Sequence, residues 1–383
     1  MPSALDLLLD EAYEATVGEG KMFQLTQTEA FGLSLPMIAN LPGSLTEYFA
    51  HFCAQHGDAT FLVEGDERLS FAETFAHARA FAAALVTSGK VKRGDRVAIA
   101  MRNAPSWIVA YMGTIMAGGC ATLINGFWQG GEIADALKDS GCTLMLADRQ
   151  RAERLAAVGG ADGVEVVTLD LTKPIAEAIA PVTAWGGGAD TPLPALNGDD
   201  LATILFTSGS TGQSKGAYSR HRAVVQGTFN YIIQTVGVVY LLTKMGNPPA
   251  GQAATLLNVP LFHVTGEIPV FLQSIAIGRK LVLMPRWDAE EAMRLIEKEQ
   301  ITYFVGVPLM SYEMLIHPHR DQYDLSSCKS FAAGGAPRPK DHVRRLAEGM
   351  GGGMPLLGYG LTETNAVGCG NLNENYIAKP DST

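Results

Sequence analysis

The chain alternates short apolar runs with segments of helical periodicity, and this alternation constrains its fold more than any other feature. Strands separated by helices favour parallel pairing, because the chain must cross back over the sheet between them. We therefore predict an α/β fold with alternating strand-helix subdomains and mostly parallel sheets packed between helices. The predicted strands are Thr60–Glu64, Arg68–Ser70, Arg96–Met101, Ala121–Ile124, Thr143–Ala147, Val164–Thr168, Leu201–Phe206, Ala254–Asn258, Lys280–Met284, Thr302–Val305, Ser330–Ala333 and Pro355–Leu357.

Pattern and composition divide the chain into three predicted regions. Residues 1–43 are weakly patterned and are predicted to form an N-terminal extension that lies over the core. Residues 44–190 carry the first set of alternating elements, and residues 191–383 carry the second. Thr183–Gly198 is rich in Gly, Pro, Ala and Asp and has no periodicity, which is typical of a linker between the two sets.

The composition argues against several classes of protein. A net charge of −10 in 383 residues does not suit a non-specific nucleic-acid binder. The five cysteines are scattered and show no CxxC spacing, which does not favour a cysteine zinc site or a disulfide framework. Free thiols and an acidic N-terminus fit a cytoplasmic protein without an export signal.

One uncharged segment, Ala223–Thr243, is long enough to cross a bilayer. Its amides Gln226, Asn230 and Gln234 recur every four residues, so they lie on one face of a helix with a polar side. We therefore predict no transmembrane span. The sequence leaves peripheral membrane association and a homodimer open.

A loop of glycines and hydroxyl residues follows the strand Leu201–Phe206. Thr207–Gly216 reads TSGSTGQSKG and precedes a long apolar segment that is predicted to be helical. Glycines let the backbone approach an anion, while N–H groups, hydroxyls and the Lys215 ammonium can bind its oxygens. The order differs from the common P-loop, which needs Gly-Lys followed by Ser or Thr. We interpret it as a phosphate-binding loop between a strand and a helix; the alternative is a flexible turn.

Three further segments follow predicted strands, at the edge where open α/β sheets bind ligands. His263 lies in Pro260–Gly266, and the alternative to a functional role is a buried, hydrogen-bonded histidine. Ala333–Pro337 reads AGGAP and carries little weight alone. Gly358–Thr364 reads GYGLTET, in which a threonine hydroxyl and a carboxylate suit a phosphate and its magnesium ion. The alternative for this last segment is a capped helix start.

These motifs together resemble the adenylate-forming superfamily, which includes acyl-CoA synthetases, luciferases and peptide-synthetase adenylation domains. Thr207–Gly216 matches the phosphate loop of that superfamily, and Gly358–Thr364 matches its Y-G-x-T-E motif. The resemblance runs from about Ser44 to the end and is greatest to the N-terminal part of a fatty-acyl-CoA ligase. It implies the fold of the N-terminal domain of these enzymes.

The resemblance implies a two-step reaction that uses ATP, Mg²⁺ and coenzyme A. A carboxylate attacks the α-phosphorus of ATP to give acyl-AMP and pyrophosphate, and a thiol then accepts the acyl group. Lys215, His263, Thr362 and Glu363 are the implied catalytic residues, with Glu363 as the metal ligand and His263 beside the carboxylate. The implied nucleotide-binding residues are Thr207, Ser208, Gly209, Ser210, Thr211, Gly212, Lys215, Gly334, Gly335, Ala336, Pro337, Tyr359, Gly360 and Thr362.

The sequence departs from the superfamily by stopping before its ribose-binding Asp motif and its C-terminal lid domain with a catalytic Lys. We therefore expect that residues 1–383 alone bind ATP weakly or not at all, and adenylate weakly or not at all. No acid follows His263 until Glu267, whereas peptide-synthetase domains carry an Asp there that binds an amino group. This difference favours an apolar acid, for which we expect a pocket formed by Phe229, Ile232, Ile233, Val236, Val239, Phe271 and Ile275.

Three interpretations remain open at this point. The first is the ATP- and acid-binding part of an acyl-CoA ligase, and the second is an adenylation domain that loads a carrier protein. The third is a lid-less homologue that binds nucleotide or acyl groups without catalysis. The motif residues Lys215, Thr362 and Glu363 are all present, which favours an enzyme over the third interpretation. The apolar helix residues also have an alternative role as core.

Overall fold

The computed structural model describes residues 2–30, 32–207 and 214–381. Within these ranges the chain forms an α/β fold, as predicted from the alternating pattern. The strands are β1 (Leu25–Ala30), β2 (Leu33–Ile38), β3 (Thr60–Glu64), β4 (Glu67–Ser70), β5 (Arg96–Ala100), β6 (Cys120–Leu123), β7 (Leu144–Ala147), β8 (Glu165–Thr168), β9 (Leu201–Thr207), β10 (Lys215–Arg220), β11 (Ala254–Leu257), β12 (Lys280–Leu283), β13 (Tyr303–Gly306), β14 (Ser330–Ala333), β15 (Met354–Gly360) and β16 (Gly368–Leu372).

Helices connect most of these strands. They are α1 (Ala4–Thr16), α2 (Leu45–His56), α3 (Phe71–Thr87), α4 (Pro105–Met116), α5 (Gly130–Ser140), α6 (Arg149–Ala156), α7 (Ile175–Ala178), α8 (Ala180–Thr183), α9 (His221–Lys244), α10 (Gln273–Ile277), α11 (Ala289–Glu299), α12 (Pro308–Leu315), α13 (Lys340–Gly349) and α14 (Asn373–Ala378). A π-helical turn, Gly266–Leu272, leads directly into α10. Over the described ranges, no helix combines the length and the apolarity needed to cross a membrane.

Two large sheets organise the structure. The first has six strands in the order β10-β9-β6-β5-β7-β8, and the second has eight in the order β16-β15-β14-β13-β11-β12-β3-β4. Pairing is parallel except where β10 joins β9, β4 joins β3 and β16 joins β15, which are antiparallel edge pairs. The prediction of mostly parallel sheets packed between helices is confirmed.

Each half of the chain contributes one β-hairpin to the sheet that the other half mainly forms. The hairpin β3–β4 from the first half completes the second sheet, where β3 pairs with β12. The hairpin β9–β10 from the second half completes the first sheet, where β9 pairs with β6. The boundary at residues 190 and 191 therefore follows chain order and not sheet membership, and the domain limits themselves stay a prediction.

The main apolar core surrounds α4, of which every residue is buried. Pro105 starts this helix at a position where the missing N–H costs nothing, and no charged side chain interrupts it. Trp107 stacks on Tyr111 with ring centroids 5.3 Å apart, and Phe271 meets the Tyr111 ring edge-on at 5.4 Å. The helix thus joins the first sheet to the π-helical turn.

The N-terminal extension packs against α9. Helix α1 contacts α9, and the β1–β2 hairpin follows it. The Gln226 side chain bonds the backbone of Ile38 twice, accepting from its N–H at 3.0 Å and donating to its carbonyl at 2.8 Å. This pairing accounts for one of the amides on the polar face of α9.

Candidate functional site

The described part of the phosphate-loop segment forms the base of a β-hairpin. β9 and β10 are antiparallel, and Thr207 pairs with Lys215 across the base. The expectation of a helix directly after the loop is wrong, because six residues of strand precede α9 at His221. Lys215–Arg220 has no apolar run, so its sequence gives no sign of a strand. Ser208, Gly209, Ser210, Thr211 and Gly212 lie outside the described residues.

Thr207 and Lys215 face each other where the loop leaves the sheet. The Thr207 hydroxyl lies 3.4 Å from the Lys215 carbonyl oxygen to which it donates. Thr207 is half-buried and Lys215 is exposed. A solvated ammonium at the base of a hydroxyl-rich loop can bind a phosphate without first breaking a buried ion pair.

The second motif meets this hairpin. Thr362–Thr364 form a short 3-10 helix after β15, and this helix contacts both β9 and β10. Thr362 is half-buried and Glu363 is exposed. Within the described residues, neither the Thr362 hydroxyl nor the Glu363 carboxylate is used in a hydrogen bond inside the chain. The structure therefore brings the second motif to the described base of the first and leaves the Thr362 hydroxyl and the Glu363 carboxylate open to a ligand.

Glu363 is suited to hold a magnesium ion by its chemistry and its exposure. An ionised carboxylate offers hard oxygens, and Mg²⁺ is usually bound by one or two carboxylates together with substrate phosphates. Because no intramolecular donor occupies the Glu363 oxygens among the described residues, the carboxylate fits this role. Magnesium bound here would supply positive charge next to the phosphates.

The Ala333–Pro337 and Tyr359–Gly360 segments lie at the same sheet edge. β14 and β15 are parallel neighbours, with Ala333 opposite Leu357, so the residues after each strand lie side by side. Gly335 has φ of 75°, and the Gly334–Pro337 backbone is largely exposed. A Cβ on Gly360 would lie 2.0 Å from the Ala366 carbonyl oxygen, so this position requires glycine. Tyr359 is 57% exposed and offers a ring face beside this open backbone.

His263 lies on the loop between β11 and the π-helical turn. Its N–H donates to the Pro260 carbonyl at 3.1 Å, and the Glu267 N–H donates to the His263 carbonyl at 3.0 Å. His263 is an exposed residue, but the protein around its ring desolvates it in part, and this desolvation lowers its pKa. A neutral imidazole is therefore present at neutral pH.

Asn103 organises this loop and was not among the predicted site residues. It follows β5 in the first sheet, and its amide donates to the Val259 carbonyl at 2.8 Å. Its side-chain carbonyl accepts from the Leu261 N–H at 2.9 Å. A buried amide thereby joins the two sheets next to His263. The signal in the sequence was a polar residue placed directly after a buried strand.

Aromatic rings link His263 to the base of the phosphate loop. The Phe262 ring lies 5.4 Å from the His263 ring and 5.7 Å from Phe127, which is 67% exposed. Trp128 meets Phe206 of β9 at 5.2 Å. Phe127 and Trp128 follow β6, the strand beside β9. These residues form an aromatic wall between the two candidate regions, which the sequence analysis did not identify.

Most of the residues predicted to form an apolar pocket lie in or against the main core, where Ile232 is buried and Ile233 and Val236 are partly buried, so the pocket itself stays a prediction. Phe271 and Ile275 are fully buried, and Phe229 packs on Phe23 at 6.2 Å, so these three belong to the core. Val239 is 39% exposed. Glu267, the first acid after His263, is fully buried and accepts a 2.6 Å hydrogen bond from the Tyr111 hydroxyl. Burial raises the pKa of Glu267 to about 7.

A cleft of about 780 Å³ opens between the two sheets. It lies where β5, β7 and β8 of the first sheet and β3 and β12 of the second end, and its lining includes Arg102, Arg149, Arg151 and Arg286. Arg151 is paired with Asp148 at 2.9 Å. The carboxylates of Glu64, Asp148, Asp170 and Glu291 line the same cleft, so the charges of its lining balance. Arg102, Arg149 and Arg286 form no ion pair among the described residues and are the groups that can bind an anionic ligand there.

Comparison with known proteins agrees with this geometry. Residues 49–383 match the family described as AMP-binding enzyme. The chain is 30% identical over 332 residues to the 3-[(3aS,4S,7aS)-7a-methyl-1,5-dioxo-octahydro-1H-inden-4-yl]propanoyl:CoA ligase of Rhodococcus jostii (strain RHA1), covering 82% of this chain and 61% of that protein. It is 26% identical to the long-chain-fatty-acid–CoA ligase of Bacillus subtilis (strain 168), covering 82% and 59%. The chain thus spans about three fifths of the length of these relatives.

Solved structures share the fold. The N-terminal domain of FACL13 from Mycobacterium tuberculosis superposes with a TM-score of 0.76 at 24% identity, covering 88% of this chain and 81% of that one. ATP-bound MatB from Rhodopseudomonas palustris superposes with a TM-score of 0.72 at 23% identity, covering 86% and 62%. The resemblance inferred from the motifs is confirmed, and the chain belongs to the AMP-binding enzyme family, the adenylate-forming superfamily of the acyl-CoA ligases.

Proposed function

We propose that the chain is the ATP- and acid-binding portion of an enzyme that activates a carboxylic acid to acyl-AMP and then forms a thioester with coenzyme A. The observation that carries this proposal is the contact between the Thr362–Thr364 turn and the β9–β10 hairpin. This contact brings β9 and β10, the strands on either side of the proposed phosphate-binding loop, next to a hydroxyl and a carboxylate that make no hydrogen bond among the described residues. Such an arrangement supports positioning and charge stabilisation at a phosphate, which is what phosphoryl chemistry requires.

The proposed division of roles follows the position of each residue. Thr207, Lys215 and the loop residues Ser208, Gly209, Ser210, Thr211 and Gly212 hold the β- and γ-phosphates and help pyrophosphate to leave. Thr362 donates to the α-phosphate, and Glu363 holds the magnesium ion. Gly334, Gly335, Ala336 and Pro337 line one side of the adenine, with Tyr359 and Gly360 next to them. His263, neutral at pH 7, orients the attacking carboxylate.

The proposed substrate is an acid with an apolar body. Phe127, Phe262 and His263 are the members of the aromatic wall that lie between the histidine loop and β9. A carboxylate must be held there to reach the α-phosphate. Aromatic faces bind alkyl chains and flat rings by burial and stacking, and Phe127, Phe262 and His263 supply no carboxylate to pair with an amino group. A fatty or aromatic acid fits this wall better than an amino acid does.

Arg102, Arg149 and Arg286, which form no ion pair among the described residues, support coenzyme A as the acceptor although carboxylates line the same cleft. Coenzyme A carries several phosphate charges, and guanidinium groups bind phosphate through paired N–H donors. A carrier protein, the acceptor in the second interpretation, would instead require a protein-docking surface on this chain. Arg149→Ala and Arg286→Ala should therefore raise the KM for coenzyme A and leave acyl-AMP formation unchanged.

Acid-dependent release of pyrophosphate tests the function. The enzyme that contains this chain should release pyrophosphate from ATP with long-chain or aromatic acids, and more slowly with amino acids. Addition of coenzyme A should convert the acyl-AMP into a thioester. Release with amino acids alone, followed by transfer to a carrier protein only, would establish the adenylation-domain interpretation. ATP binding without acid-dependent release would establish the non-catalytic homologue.

A further inference from the structure

Three metal-ligating side chains converge at the surface away from the motifs described above. Glu290 lies in the first turn of α11, while His317 and His319 follow α12 with one proline between them. One ligand atom from each residue lies within 4.8 Å of the other two. Across the described ranges, this is the one place where three histidine, cysteine or carboxylate side chains approach each other so closely.

Existing contacts already hold these groups near one another. The His319 Nδ1 atom lies 2.8 Å from Glu290 Oε1, and the Tyr323 hydroxyl donates to the same oxygen at 3.0 Å. The His317 ring lies 5.4 Å from the His319 ring. His319 and Glu290 are about half-exposed, so both can rotate without disturbing the core. A cation could therefore bind between the imidazole and the carboxylate.

We propose that Glu290, His317 and His319 form a zinc-binding site. Two imidazole nitrogens and one carboxylate oxygen are a ligand set that suits zinc, with a water completing the tetrahedron. Ligand atoms in a tetrahedral zinc site lie roughly 3.4 Å apart for bonds of about 2.1 Å, so the present separations need only small side-chain rotations. The scattered cysteines argue against a cysteine zinc site and have no bearing on this one.

The bound ion would join two segments that are distant in sequence. Glu290 lies in the first turn of α11, which packs against β11 of the second sheet. His317 and His319 belong to the turn before Arg320. Arg320 fixes that turn by donating to the Gly349 carbonyl at 2.7 Å. Tyr323 is a positioning residue, because its hydroxyl orients the Glu290 carboxylate. Zinc should therefore stabilise the packing of α11 against the segment that follows α12.

Calorimetric titration with zinc chloride tests this site. The parent chain should carry Cys369→Ser, which removes the exposed thiol as a competing ligand. We expect one zinc equivalent, and a loss of affinity of about tenfold or more in Glu290→Gln, His317→Gln and His319→Gln. Zinc should also raise the thermal midpoint of the parent chain but not of these variants. Tyr323→Phe should weaken binding less than any of the three.

His77→Gln is the matched control. It removes a partly exposed histidine next to a carboxylate, Glu73, on α3, where no third ligand is present among the described residues. Its zinc affinity should equal that of the parent. Absence of zinc binding in the parent, or a loss of less than twofold in all three ligand variants, would overturn the proposal. Circular dichroism without zinc identifies any variant that fails to fold, and the other two then decide.

Discussion

The Ser219 hydroxyl donates a 3.1 Å hydrogen bond to the side-chain carbonyl oxygen of Asn365. Ser219 lies on β10, four residues after Lys215, and Asn365 directly follows the turn that carries Thr362 and Glu363. Asn365 is buried with φ of 53°, a left-handed conformation that Asn tolerates well. This side-chain contact therefore helps to hold the β9–β10 hairpin against the second motif.

Ser219→Ala should weaken ATP binding more than it weakens the fold. Loss of one neutral hydrogen bond is worth about 1 kcal/mol, so we expect a roughly three- to tenfold rise in the Kd for ATP. The thermal midpoint should change little, because the turn is held by other contacts as well. Ser88→Ala serves as control, because its hydroxyl makes only local bonds: it donates to the Leu85 carbonyl and accepts from the Lys90 N–H. Equal ATP affinity in the two variants would show that this contact does not position the site.

Glu363→Gln should remove the magnesium dependence of ATP binding. The amide keeps the size of the side chain but loses the charge that a hard cation requires. ATP affinity measured against magnesium concentration should rise steeply in the parent and remain nearly flat in the variant. Glu374→Gln, an exposed acid on α14, should behave as the parent does. An unchanged magnesium profile in Glu363→Gln would assign the metal to another residue.

Glu299 should make the fold sensitive to acid. The Arg68 guanidinium and the Lys280 ammonium bond its carboxylate at 2.7 and 2.9 Å, and chiefly the bond from Arg68 lowers the pKa of Glu299 to about 2. A depressed carboxyl pKa stabilises the fold above the ordinary value of 4.5, and this contribution is lost as pH falls toward 2. Since Arg68 is partly exposed, Glu299→Gln should cost about 2 kcal/mol at pH 7.

Urea unfolding at pH 7 and at pH 3 measures this contribution. The difference in unfolding free energy between parent and Glu299→Gln should shrink at the lower pH. Glu291→Gln on the same helix removes an exposed pair with Arg294 and should cost no more than about 0.5 kcal/mol at either pH. A cost for Glu299→Gln that does not depend on pH would contradict the ion-pair account.

The Glu267 carboxyl should have the opposite pH dependence. Burial raises its pKa to about 7, so the folded chain retains a proton that the unfolded chain releases. Its contribution to stability is full below the ordinary pKa of 4.5 and is lost as pH rises through 7. Glu267→Gln should therefore raise the thermal midpoint at pH 8 and leave it nearly unchanged at pH 4.5. A lower midpoint at pH 8 would mean that the charged form is stabilised by a buried partner.

Tyr111→Phe tests the hydrogen bond to the same carboxyl. The variant leaves Glu267 Oε1 without its donor, and Oε2 already has no partner among the described residues. We expect a loss of about 1 to 3 kcal/mol in unfolding free energy at pH 6, the usual cost of a buried polar atom left unpaired. Tyr218→Phe, whose ring is 64% exposed, should be neutral. Equal stability of both variants would indicate that water replaces the missing hydroxyl.

Local pattern predicted much of this structure, because buried strands and their flanking helices differ strongly in composition. The strand Arg96–Met101 and the helix Ala104–Ala117 are both found within a residue or so of their predicted limits. β10 was not predicted because it is an edge strand that pairs only with β9. An edge strand can carry polar residues, so its sequence lacks the apolar run of a buried strand. Pairing of β3 with β12 was also not predictable, since nothing local specifies a partner about 220 residues away.

Some residues of the candidate site were likewise predictable from the sequence, and others were not. Thr362 and Glu363 were found because their motif is contiguous. Asn103 and Phe127 were not, because each acts on a segment from another part of the chain. Asn103 becomes recognisable only when β5 and β11 lie in neighbouring sheets, and Phe127 only when Phe262 packs against it.

Calorimetric titration of MgATP into the chain, compared with its Lys215→Ala variant, tests the central claim most directly. A charged hydrogen bond to phosphate is worth about 1.5 to 3 kcal/mol, so the variant should bind ATP roughly 10- to 100-fold more weakly. Lys244→Ala at the far end of α9, about 35 Å along the helix from its start, should bind as the parent does. Saturable binding that Lys215→Ala weakens selectively is the predicted result. Binding to the chain should be weak, and equal affinity in both lysine variants would contradict a nucleotide site at the β9–β10 hairpin.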